Sequence, residues 1–362
     1  MIPSRWYPIA LAAMLLLAPS AALAADVPAA LAPLKAAADA GNTDAALQLA
    51  GRYYRGEGVN QNYASALVWY KRAAALGEPS AAMQVAKMLD LGAGTPRDLE
   101  GANVYYRQAA KLGLPAAQVI LGMRLRDGLG VSANEAEAAQ WFRRAAERGD
   151  ADGMFYLGRS YASGSGVDED PREALMWYEL AAERFHRLAC CEIGRVYDEG
   201  LGVETDPIRA AKWYETAARL GDPEAQYRLG MLLKDGAAPL PANRTEAERW
   251  LRQAAEQKQV QADGPLGELL FQKGSHREAY EWVRPAAERG EAPSVFRLAV
   301  MLDEGKGVPR HLELAAFWYH VAVKYGVTGA KERLARLNGR LGARERESAA
   351  FKAKRWLEAR GE

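Results

Sequence analysis

The sequence predicts an all-α protein: about eight helix-turn-helix repeats closed by capping helices at both ends. Three observations predict it. Aromatic residues recur at Trp69, Tyr105, Trp141, Trp177, Trp213, Trp250, Trp282 and Trp318, with spacings of 36 residues except for one of 37 and one of 32. A small residue after Leu, Val or Ile recurs in a second register through Ala50, Ala86, Gly122, Gly158, Gly194, Gly230, Gly267 and Ala299. Between the registers stands Gly-x-Gly-Val, as in Gly128 to Val131 and Gly200 to Val203. A fixed period of this length is the mark of units that bury their apolar faces against neighbours, not in one globular core.

The elements follow in order. Met1 to Arg5, an apolar stretch around Ile9 to Leu17 and Ala22-Leu23-Ala24 predict a secretory signal over residues 1–24, cleaved before Ala25. The apolar run is shorter than the roughly 20 residues a spanning helix needs, so no membrane insertion is expected after cleavage. Residues 25–42 read as an N-terminal cap whose Leu34 to Ala37 resemble the tail of a second helix. Eight repeats are expected over 43–327, and residues 328–362 should add one or two capping helices.

Within a repeat, Ala, Leu-Gly and Leu or Tyr at offsets of four and three place one apolar stripe on a first helix, as in Ala117, Leu121-Gly122 and Leu125. The small residue lets a neighbouring helix approach closely. Ala174, Trp177-Tyr178 and Ala181-Ala182 form the matching stripe of a second helix, whose rings fill what the alanines leave open. The glycines between them supply the positive φ that ends a helix. Recurrence in five repeats, with no Lys-Ser or Lys-Thr behind them, makes them structural turns and not phosphate cradles. Asp170-Pro171 and Asp206-Pro207 should start second helices, with Asp as N-cap and Pro at the first helical position. The sixth turn carries Pro239 and Pro241, and the seventh has lost four residues, so regularity should be least there.

At the C-terminus, Gly329 to Glu362 has ten basic residues against five acidic. It reads as a solvated capping segment with Leu334, Leu337, Leu341, Phe351, Trp356 and Leu357 facing inward.

Charge and composition exclude several classes of function. The chain has 47 basic and 46 acidic residues, so no global field would gather nucleic acid or anionic lipid. Its two cysteines, Cys190 and Cys191, are adjacent, which disfavours a disulfide inside a helix and points to free buried thiols. His186, His276, His311 and His320 show no ligand spacing, and no metal or cofactor is expected. No Gly-x-Ser-x-Gly elbow appears, nor a Ser followed three residues on by Lys, so no catalytic residue is proposed.

The combined pattern, Ala, Leu-Gly, Tyr, Gly-x-Gly-Val, Ala-x-x-Trp-Tyr, Ala-Ala, Gly at this spacing, resembles the Sel-1-like repeat family, relatives of the tetratricopeptide repeats, from about Thr43 to Val327. The resemblance implies a right-handed α-solenoid with first helices on a concave face, and scaffold or adaptor work in envelope assembly or signalling. The alternative is a cell-wall or β-lactam hydrolase related to cysteine-rich members. Those pair cysteines between successive helices, whereas Ala182 stands where a partner for Cys190 would be expected.

On that fold, positions three before, one after and four after the small residue point into the groove. In repeats three to six these are Val119, Met123, Arg126; Phe155, Arg159, Ala162; Cys191, Arg195, Asp198; and Tyr227, Met231, Lys234. Met123, Arg126, Phe155, Arg159, Arg195, Tyr227 and Met231 are the expected contacts for a protein or extended peptide segment, because interface centres favour Met, Arg and aromatics. Arg159 and Arg195, one period apart, suit an acidic or extended segment. Phe155 and Tyr227 could instead pack between helices. The sequence leaves the oligomeric state open.

Overall fold

A computed structural model describes residues 28–362. The expected signal peptide, its cleavage site and the first residues of the expected cap lie outside the described residues. Those described are all-α: nineteen helices, two single 3-10 turns and no strand, only an isolated bridge between Ala237 and Leu240. The fold class is the α-solenoid of helical repeats that the sequence predicts. No helix among them is long and apolar enough to cross a membrane. The chain divides into two compact units, the first ending at Glu169 and the second beginning at Asp170.

The first unit opens with a 3-10 turn, Ala29–Leu31, and α1 (Ala32–Asp39). Three helix pairs follow: α2 (Thr43–Arg55) with α3 (Tyr63–Ala75), α4 (Pro79–Leu91) with α5 (Leu99–Lys111), and α6 (Pro115–Asp127) with α7 (Glu135–Glu147). Helix α8 (Ala151–Ser163) packs on α7 and closes the unit. Each second helix starts at a side-chain cap one period from the next: Asn62, Asp98 and Asn134 accept the backbone N–H of Ser65, Gly101 and Glu137. This satisfies a donor that the first turn leaves orphaned.

The second unit comprises α9 (Pro171–Ala182), α10 (Arg187–Glu199), α11 (Pro207–Arg219), α12 (Pro223–Asp235) and α13 (Arg244–Glu256). A 3-10 turn, Val260–Ala262, leads to α14 (Asp263–Lys273), α15 (His276–Glu288), α16 (Ala292–Glu304), α17 (Leu312–Lys324), α18 (Ala330–Asn338) and α19 (Ala343–Glu358). Asp170 and Asp206 are N-caps with Pro171 and Pro207 at the first helical position, as the sequence predicts. The shortened seventh repeat begins with α14, whose 11 residues end at Gly274 with φ 91° and pass directly into α15.

The small-residue register is where a ring from the second helix seats. A Cβ on Gly122 would lie 2.5 Å from the Phe142 ring, and one on Gly194 would lie 2.5 Å from that of Tyr214. The ring that seats is one residue past the aromatic landmark. Tyr106, Phe142, Tyr178 and Tyr214 are all buried, whereas Tyr105, Trp177 and Trp213 are half-exposed. Trp69 and Trp141 are buried beneath basic side chains, Arg72 at 5.4 Å and Arg144 at 4.5 Å from the rings. The landmark therefore marks the border of the core and not its centre.

Helices α18 and α19 pack on α17 through Leu334, Leu337, Leu341, Ala353 and Leu357, with Trp356 edge-on to Trp318 at 5.6 Å. Phe351, expected to face inward, is 62% exposed. Ala349 and Ala353 hold the inner stripe of α19, and Phe351 lies about 200° around the helix from each.

Candidate functional site

The expected groove residues fall in both units. In the first, Phe155 is 3% exposed and meets the Tyr156 ring edge-on at 5.2 Å, and Val119 is also buried. Phe155 is thus a packing residue, which corrects its placement in an open groove. With about 100° per residue, the position three before the small residue lies nearer the core than the position one after it. The latter position is the more open one: Met123 is half-buried and Arg159 is exposed. Arg126 donates Nε to Asp127 at 2.7 Å and lies over the Tyr156 ring at 5.6 Å. Tyr156 in turn stacks on Phe142 at 5.2 Å. Hydrogen bonding from Arg126 holds the Asp127 carboxyl below its usual value, and the charge of Arg159 adds to this. Of the basic pair, Arg159 is the side chain presented outward.

A buried polar network ties neighbouring repeats of this unit. The Asp90 carboxylate accepts from Tyr106 Oη at 2.9 Å and from Arg124 at 2.8 Å, and Arg124 also donates to Asn103 and to the Leu99 carbonyl. Arg124 is buried, so losing one partner would strand a charge. Asp90 stands at the groove register of its repeat, yet it is spent on packing. Sequence reasoning passed over it because Asp90, Tyr106 and Arg124 lie 16 and 34 residues apart.

In the second unit, Arg195 is committed within its own helix, at 2.7 Å to Glu192 and 3.3 Å to Glu199. Arg228 continues the ladder, at 3.1 Å to Glu199 and 2.5 Å to Glu224. Asp198 accepts from Tyr214 Oη at 3.2 Å. The carboxylates of Glu192, Glu199 and Glu224 outnumber the guanidiniums of Arg195 and Arg228. Arg195 is therefore not a spare cation for an acidic ligand, which revises the reading of the Arg159 and Arg195 pair.

Tyr227, Met231 and Lys234 do lie together, on one wall of a cleft of about 600 Å³ between α12, α14 and α16. Tyr227 and Met231 are half-buried, so one edge of each remains accessible. The cleft exists because the seventh repeat places Gly264 where its neighbours have Tyr227 and Phe296, three residues before the small residue. Its far wall comes from Glu291, Pro293 and Arg297, none of which lies in the repeats where the sequence placed the groove.

The two cysteines are poor nucleophiles. Both cysteines are free and buried. Burial pushes the Cys190 thiol up to about 11 and that of Cys191 higher still, away from the thiolate a nucleophile requires. His186 and His311 are N-caps that accept from Ala189 and Leu314 through Nδ1. No group of three or more possible metal ligands occurs among the described residues.

The Sel1 repeat family matches eight segments: 43–78, 79–114, 115–150, 151–184, 187–222, 223–258, 266–291 and 292–324. The chain belongs to the Sel1 repeat family. Among solved structures, the protein is similar to a protective antigen of uropathogenic Escherichia coli that displays an SLR fold, with 28% identity, a TM-score of 0.56, and coverage of 90% of this chain and 86% of the antigen. It is also similar to a Sel1 repeat protein from Oxalobacter formigenes, with 31% identity, a TM-score of 0.53, and coverage of 59% and 85%. A chitin synthase regulator, SKT5, of Malassezia restricta is 40% identical over 65 residues, which is 18% of this chain and 4% of that protein. Membership in the Sel1 repeat family makes this chain one of a class of protein–protein interaction scaffolds, generally without catalytic activity. The hydrolase alternative finds no support in the comparisons.

Proposed function

We propose that the protein is a periplasmic scaffold or adaptor that binds extended segments of partner proteins along the first-helix faces of its units. The supporting observation is a division of labour along the repeat. Most residues that keep the 36-residue period are buried or turn the chain, with Tyr105, Trp177, Trp213 and Trp282 half-exposed on second helices, whereas Met123, Arg159, Tyr227 and Met231, which vary, keep accessible surface on the first helices. Aromatic, Met and Arg side chains in such positions are those that carry binding energy at interface centres. The secretory signal expected from the sequence at residues 1–24 supports the location, and the near-zero net charge supports a protein partner over nucleic acid.

Affinity capture from the periplasm tests this with the intact protein beside Met231→Asp and Arg159→Glu. Each variant should lose partner capture at least about tenfold while keeping its helical content; Arg159→Glu, at an exposed position, should leave the melting temperature nearly unchanged, and Met231→Asp, at a half-buried position packed against the core, should lower it only modestly. Capture that is unchanged in both variants would remove the first-helix face from consideration. The exported protein should begin at Ala25, and a sequence beginning at Met1 would contradict the location.

A further inference from the structure

The cleft of the second unit has an unusual charge arrangement. Each cation on its wall already has a carboxylate: Lys234 pairs with Asp235 at 2.7 Å, Arg289 with Asp263 at 2.6 Å, and Arg297 with Glu268 through two hydrogen bonds of 2.6 Å. Glu291 is in no ion pair among the described residues: its half-buried carboxylate has Ser294 as a hydrogen-bond partner, and the nearby Arg289 is committed to Asp263. Glu291 does not cap α16 either, although it stands at the N-cap position. Its carboxyl lies against the Gly264 backbone, where a Cβ would come within 2.0 Å of Oε1, so the glycine that opens the cleft also admits this carboxylate. Pro293 lies on the same wall, and Tyr227 and Met231 supply apolar and aromatic surface across the cleft from it.

We propose that this cleft takes a cationic side chain, lysine or arginine, from an extended partner segment, and that Glu291 is its counter-charge. The inference rests on the reading of the first-helix face as a binding surface and names the chemistry of its ligand. A carboxylate held half-buried without a cation costs free energy, which an incoming ammonium or guanidinium recovers through a charge-assisted hydrogen bond. Tyr227 places an aromatic ring in the same cleft, where cation–π attraction would add to the binding. The ladder of Glu192, Glu199 and Glu224 on α10 and α12 extends the acidic bias, so a basic segment is attracted along this face. The cleft volume falls within the roughly 300 to 1,000 Å³ typical of ligand pockets. Burial raises the Glu291 pKa, against the pull of Ser294 and Arg289 and with that of Asp263. Asp263 and Arg289 face it as one ion pair, Glu268 and Arg297 as another, with Tyr227 opposite. Binding should therefore weaken as pH falls and Glu291 takes up its proton.

The test titrates the full chain with acetyl-Ala-Lys-Ala-amide and with the same peptide carrying norleucine or glutamate at its centre, read from the Met231 methyl resonance. The lysine peptide should give a saturable shift at about 1 to 10 mM. The other two should bind at least about tenfold more weakly. Glu291→Gln should lose this preference with an unchanged or higher melting temperature, a combination that a purely structural role would not give. The proposal is overturned by equal affinity for the three peptides, by a preference that survives Glu291→Gln, or by no saturation with lysine. If it fails while Met231→Asp still abolishes partner capture, the binding face stands and only its ligand chemistry is wrong.

Discussion

Trp213 and Tyr214 are neighbours in sequence with opposite surroundings. The Tyr214 ring is fully buried against Gly194, while Trp213 is half-exposed. Removing Tyr214 empties the centre of the α10–α11 interface, so Tyr214→Ala should cost about 3 to 5 kcal/mol in denaturant melts. Trp213→Ala should cost less than half as much, and the reverse order would show that the register is wrong. The sequence shows that a large ring pairs with a small residue, because both recur. It does not show which of two adjacent rings does so, because Trp and Tyr have the same apolar character and differ by one helical step. Phe155 escaped in the same way: its residue type suits an interface, yet about 100° of helix rotation decides between packing and exposure. Phe185 had no sequence signal at all. It adopts φ 58° and is exposed, at the turn where six other repeats place glycine and the sixth repeat places Lys258, at φ 68°.

At the level of elements, the turn glycines were legible as helix stops, and one of the two has a second duty. A Cβ on Gly164 would find ordinary contact, 3.5 Å to Glu169, whereas one on Gly166 would lie 2.1 Å from the carbonyl oxygen of Glu135, at the start of α7. The second glycine thus lets the turn rest on the second helix of the preceding repeat. Both have positive φ, so Gly164→Ala should cost about 1 to 2 kcal/mol for the backbone alone. Gly166→Ala should cost at least about 1 kcal/mol more, since helix and turn must move apart. Equal losses by thermal or denaturant unfolding would show that the close approach does not matter. The caps at Asp170 and Asp206 were legible because side chain, proline and spacing agree, and they form as expected. The cleft was not legible. The shortening of the seventh repeat was visible, but its result depends on Gly264 sharing a cleft with Tyr227 and Glu291, residues that only stacking brings together.

Each unit is a chain of local solutions, in which helices pack on their neighbours in sequence, and the same small-residue seat recurs in both units. That is why fold class and family were legible from one sequence: a signal repeated eight times survives variation at any single copy. Binding chemistry is written once, in positions that do not repeat, and so escapes the same reading. The Asp90, Tyr106 and Arg124 network and the unpaired Glu291 are both of this kind. The central claim is that partners are held by first-helix faces and not by the outward sides of second helices. Photo-crosslinking tests it most directly, with a photoreactive residue placed in turn at Arg159 and Met231 on first helices and at Val104 and Lys212 on second helices, where both side chains are exposed. Crosslinks to a partner should form from Arg159 or Met231 and not from Val104 or Lys212; crosslinks confined to Val104 and Lys212 would contradict the account.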